Sequence, residues 1–163
     1  MMVALDTNCF IDAFRPSSHV YTAMNELLSA HEFGLIQITV SRQSLNELEQ
    51  SPDQALSLAR KFEILPHFPL GSWNDQVATW DQLEGTWNDA RRNDEIQQEL
   101  KNLAKAGNDI RDRGAYIDAL RAGVDVFVTS DKQFVASSPA KRIENRFGLR
   151  VLSPEQLYAE ICA

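Results

Sequence analysis

Short apolar runs alternate along this chain with segments of helical period, and the two clearest runs each lead into an aspartate. Met2-Val3-Ala4-Leu5 is followed by Asp6-Thr7-Asn8, and Val126-Phe127-Val128 by Thr129-Ser130-Asp131. Runs that are continuously apolar suit strands covered on both faces, as in a parallel sheet. In an open α/β sheet the ligand crevice lies at the carboxyl ends of the strands, where the strand order reverses. Both acids are thus expected where chemistry is usually done, and two carboxylates there call for a cation.

The rest of the chain fits the same alternation. Asp6-Thr7-Asn8 are capping-type residues, and a helix through Phe10, Ile11, Ala13 and Phe14 is expected to end at Pro16. Val20, Met24, Leu27 and Leu28 recur at helical spacing; Leu35 to Val40 reads as a second strand, with Ser41 capping the next helix. That helix turns Leu45 and Leu48 inward, breaks at Ser51-Pro52, and resumes through Phe62 before a short strand at Glu63-Ile64-Leu65. Trp73, Trp80 and Trp87, with Ile96, Leu100 and Leu103, predict a helical hairpin inserted at about 73–106. Val77 and Leu83 share the tryptophan face, which favours core or interface packing over stacking on bases. A helix restarting at Gly107-Asn108-Asp109 stops at Gly123, and the Val126 strand follows. A last strand at Arg150-Val151-Leu152 precedes a helix with Ser153 as cap, Pro154 in first position and Gln156 three after the cap. Strands alternating with helices imply the α/β class, a parallel sheet flanked by helices.

With 163 residues the chain is expected to form a single domain over 1–163. Its net charge of −7 repels polyanions overall, so any nucleic acid must be held by local basic groups or through metal. Cys9 and Cys162 lack CxxC spacing and read as reduced thiols, and no zinc site is visible. The opening apolar stretch is too short and lacks the basic flank of a signal sequence, and no run reaches membrane-spanning length. The expectation is a soluble cytoplasmic protein with no membrane partner. His19, His31 and His67 have no triad-like or metal-like spacing, and no glycine-rich phosphate loop occurs.

Right-handed crossovers put the start of the Asp109 to Ala122 helix at the sheet edge where both aspartate strands exit, which brings Asp112 near Asp6 and Asp131. Glu47, in the second turn of the helix after strand two, reaches the same crevice if that strand adjoins strand one. Asp118 falls on a different face of its helix and, with Asp12 and Asp109, reads as a cap or surface charge. Like charges sharing a site resist joint ionisation, and a hard divalent cation relieves them. Carboxylate and water ligands without histidine or thiolate select magnesium or manganese, Mg2+ or Mn2+, over zinc or copper. Such ions serve phosphoryl displacement, so phosphodiester hydrolysis is the leading expectation. Arg42, Arg111, Arg113 and Lys132 flank the acids and are candidates for holding phosphates, against the plainer reading of solvated charges.

These residues also resemble a family. Leu5-Asp6-Thr7-Asn8, the stretch Ser41 to Leu48 with Glu47, the block Asp112 to Asp131, and Leu149 to Glu155 look like the ordered motifs of PIN domains. The likeness covers both ends of the chain and skips its middle. It implies a Rossmann-like PIN fold and a magnesium- or manganese-dependent endoribonuclease, as in the toxins of bacterial toxin–antitoxin pairs and in RNA-processing nucleases. Matched motif by motif, the family's metal-binding and catalytic acids fall on Asp6, Glu47, Asp112 and Asp131, with Thr129 supporting the last acid and Asn8 in a supporting place. The implied partners are an RNA substrate, an antitoxin protein and a second copy of the chain. A non-catalytic PIN-like module binding RNA or protein is the alternative. A haloacid-dehalogenase-like phosphatase is disfavoured, because Asn8 stands where that chemistry needs a second, proton-transferring aspartate.

Overall fold

The computed structural model describes residues 1–66, 95, 98–99, 102 and 114–163. The elements there are β1 (Met2–Leu5), α1 (Thr7–Asp12), α2 (Tyr21–Glu32), β2 (Gln37–Val40), α3 (Arg42–Leu48), α4 (Asp53–Ala59), β3 (Glu63–Ile64), α5 (Gly114–Ala122), β4 (Val126–Val128), α6 (Lys132–Val135), α7 (Ser138–Phe147), β5 (Arg150–Leu152) and α8 (Pro154–Ile161). The expected tryptophan hairpin lies outside the described residues, save that Glu95, Gln98, Glu99 and Asn102 are helical.

The five strands form one sheet in the order β3-β2-β1-β4-β5, and every pairing is parallel. The chain builds outward from β1 through β2 to β3, then returns to lay β4 on the other side of β1. The direction of winding therefore changes between β1 and β4, where Leu5 pairs with Val128 and the two strands end level. This is the α/β class that the alternation predicts.

Side chains of successive strand residues point to opposite faces, and the core divides accordingly. Val3, Leu5, Ile38, Val40, Val126 and Val128 face one way, onto Phe10, Met24, Leu27, Leu48 and Leu157. Ala4, Phe127 and Val151 face the other, onto Tyr116, Leu120, Phe134 and Ile143. On that second face the Tyr116 and Phe134 rings meet edge-on at 5.0 Å, and Tyr116 and Phe127 at 5.3 Å, each such pair contributing about 0.5–1.5 kcal/mol beyond its buried area.

The expected caps are present. Ser41 accepts from the Ser44 amide at 2.9 Å, and Ser153 with Gln156 makes a reciprocal capping box. The segment between Asp131 and the last strand, read from sequence without a regular element, contains α6 and α7. Asp131 caps α6, Ser137 caps α7, and Gly148 ends α7 at φ 80°, a conformation that glycine adopts without steric cost. Glu99, though buried, is ion-paired to Arg142 of α7 at 2.8 Å, and Glu95 to Arg146 at 3.1 Å, so these two glutamates lie against α7. Asp118 corrects the surface-or-cap expectation: it sits inside α5 and is 4% exposed. Ala115 to Leu120 are all buried, so this part of the helix has no solvent face on which a surface charge can sit.

Candidate functional site

The β1 and β4 ends meet where the Asp6 amide donates to the Val128 carbonyl at 2.9 Å. Asp6 follows the strand in extended conformation and opens α1, its Oδ1 accepting from the Thr7 amide at 2.8 Å. Its other oxygen, Oδ2, accepts from Thr129 Oγ1 at 2.7 Å. Only 7% of Asp6 is exposed, and Thr129 is fully buried. A carboxylate taken this far out of water is costly, and these two bonds replace part of the lost hydration.

Thr129 Oγ1 also accepts from the Asp131 amide at 3.2 Å. The hydroxyl expected to support the last acid thus donates to the first, and touches the last only through its backbone. The reason is the sheet order: β4 lies beside β1, so Asp6 is the carboxylate within reach. The carboxylate of half-buried Asp131 turns onto α6, where Oδ1 accepts from the Gln133 amide at 2.9 Å and the Phe134 amide at 3.1 Å.

Glu47 reaches the same sheet edge from α3, as expected once β2 adjoins β1. Thr7 Oγ1 donates to Glu47 Oε2, and Gln43 Nε2 donates to Glu47 Oε1 at 3.0 Å. The carboxylates of Asp6 and Glu47 are therefore linked through Thr7, and Asp6 is linked through Thr129 to the backbone of Asp131, whose own carboxylate faces α6. Asp112, Arg111 and Arg113 lie outside the described residues. Among the described residues no group of three or more His, Cys, Asp or Glu side chains is placed to hold a metal ion.

Arg42 and Lys132 are exposed at the first positions of α3 and α6, and Asn8 is exposed in the first turn of α1. Cys9 is buried behind Asp6, its thiol donating to the Val128 carbonyl at 3.4 Å. Burial, reinforced by the charges of Asp6 and Asp12, pushes that thiol well above its ordinary pKa. Sequence reading missed two residues here. Thr7 reads as a simple cap neighbour, and Gln43 passes unremarked although its i, i+4 relation to Glu47 is a recognisable pairing signal. Described helices include none long and apolar enough to cross a membrane. No protein-family model matches the chain, and a search of curated proteins finds no relative.

Proposed function

We propose that the chain is a PIN-like endoribonuclease that hydrolyses RNA phosphodiester bonds with magnesium or manganese. The observation that carries the reading is the buried Asp6 carboxylate at the reversal of the sheet, tied to Thr129 directly and to Glu47 by way of Thr7. Helix α1 needs only a cap, which serine or asparagine supplies without burying a charge. A carboxylate kept there at a desolvation cost points to use of the charge. The donor set is oxygen only, which suits a hard divalent cation. The likeness to PIN domains assigns the ion to Asp6, Glu47, Asp112 and Asp131; of these Asp6 and Glu47 are linked through Thr7, while the Asp131 carboxylate caps α6 and would have to turn to join them, and when bound the ion would supply positive charge beside the phosphate. Arg42 and Lys132, at the starts of helices on the same edge, are the residues to hold flanking phosphates against the chain's overall negative charge.

A direct test is incubation of the purified protein with total RNA, with and without manganese, followed by mapping of new ends. Discrete ends that need manganese and vanish with chelator support the reading; RNA untouched under both conditions refutes it.

The capping bonds at Asp6 and Asp131 favour one other reading, a non-catalytic PIN-like module that binds RNA or protein and uses these acids only to start helices. Manganese calorimetry separates the two. The nuclease binds the ion and Asp131→Asn weakens that binding strongly, whereas the module gives no heat.

A further inference from the structure

Glu47 is exposed on α3, yet both its carboxylate oxygens are held, Oε2 by the Thr7 hydroxyl and Oε1 by the Gln43 side-chain amide at 3.0 Å. An exposed glutamate ordinarily keeps its rotamer freedom, and fixing it costs entropy that a stray surface contact rarely repays. Gln43 is itself placed by a tertiary contact. Gly114, at the start of the described part of α5, faces its amide so closely that a Cβ there would stand 2.6 Å from Gln43 Cδ and nearer still to Oε1. The backbone does not demand glycine at this position, since Gly114 is not among the described glycines with positive φ, Gly34, Gly123 and Gly148. What demands it is the space taken by Gln43. The obstructing atoms are the far end of a flexible side chain, so an added methyl would swing the amide away from Glu47 with little damage to the fold.

We propose that Gln43 is a positioning residue that fixes the Glu47 carboxylate toward the Asp6 crevice, and that Gly114 is glycine to leave room for it. The proposal rests on the nuclease reading for what Glu47 then does. It separates Gln43 from an ordinary exposed i, i+4 pair, which would carry no consequence for the site.

The test compares wild type, Glu47→Gln, Gln43→Ala, Gly114→Ala and the Gln43→Ala/Gly114→Ala double variant. Manganese affinity is measured by calorimetry, RNA cleavage by kcat and KM, and folding by thermal melting. Loss of a residue that orients a ligand typically weakens metal binding or activity about 10- to 100-fold. Gln43→Ala and Gly114→Ala are each expected to show a loss of that size in manganese affinity and kcat, with KM for RNA and melting temperature close to wild type. In the double variant Gly114→Ala adds nothing, because no amide remains to displace. Should Gly114→Ala fail to fold, Gln43→Met, of similar length but without the amide donor, carries the test with the same expected loss. Wild-type affinity and kcat in Gln43→Ala, alongside losses in Glu47→Gln, overturn the positioning role and leave the nuclease reading standing. An equal Gly114→Ala penalty with and without Gln43 overturns the role given to the glycine. A wild-type protein that neither binds manganese nor cleaves RNA overturns both proposals.

Discussion

At the scale of single residues, Thr129 joins the two strands that bear the aspartates: its hydroxyl donates to Asp6 and accepts from the Asp131 amide, and it is fully buried. Thr129→Val keeps the shape but leaves the Asp6 carboxylate and the Asp131 amide each short of a partner. Denaturant unfolding is expected to show a loss of about 1–3 kcal/mol, with Thr129→Ser close to wild type. The partner of this hydroxyl was not legible in the sequence, where Asp131 is two residues away and Asp6 is 123 positions distant. Only the adjacency of β4 and β1 decides between them. Cys9 gives a second residue-scale outcome. A thiol reagent applied to the native protein should label exposed Cys162 and spare Cys9 until unfolding. Because burial raises the Cys9 pKa, the folded state holds its proton more tightly than the unfolded chain. The resulting contribution to stability is complete below the unfolded thiol value of about 8.5 and is lost as pH climbs toward the folded value. Cys9→Ser should flatten the alkaline side of the stability profile measured by denaturant titration.

At the scale of elements, much was legible because caps and strand composition are local signals. The strands at 2–5, 37–40, 126–128 and 150–152, the caps at Ser41 and Ser153, and the break at Ser51-Pro52 all follow from a few neighbouring residues. Helices α6 and α7 were not legible. The first is four residues long, and the second sets Ala140, Ile143 and Phe147 among charged neighbours, a sparse stripe that makes sense only against the second face of the sheet. Its Ser137 cap and its terminal Gly148 were the signals available. The burial of Asp118 was illegible for a related reason, since the stretch from Ala115 to Leu120 is buried all round and lacks the polar face that periodicity assumes. Asp131 is where cap and proposed ligand must be told apart. Asp131→Ala removes the acceptor for two α6 amides and should cost about 1 kcal/mol, while Asp131→Asn, an equally good cap, should melt near wild type. Both should lose manganese binding and cleavage. Thermal melting set beside calorimetry on the two variants checks this.

At the scale of the whole molecule, the sheet order turns distant sequence into one edge. Asp6, Glu47 and Thr129 come from three parts of the chain and become neighbours because β1 is flanked by β2 and β4. Parallel strands were legible from the alternation of elements, whereas this flanking was only a condition on which the role of Glu47 hung. On the nuclease proposal, the chain's net negative charge means that association with RNA should rest on few phosphate contacts, so the slope of affinity against salt, by filter binding, should be shallow. The most direct measurement is manganese-dependent cleavage of RNA by Asp6→Asn, made beside wild type with the variant's fold checked by its melting curve. The amide still caps α1 but cannot carry the charge, so a folded variant without cleavage is expected. A folded Asp6→Asn that cuts RNA at the wild-type rate would contradict a catalytic role for the buried carboxylate.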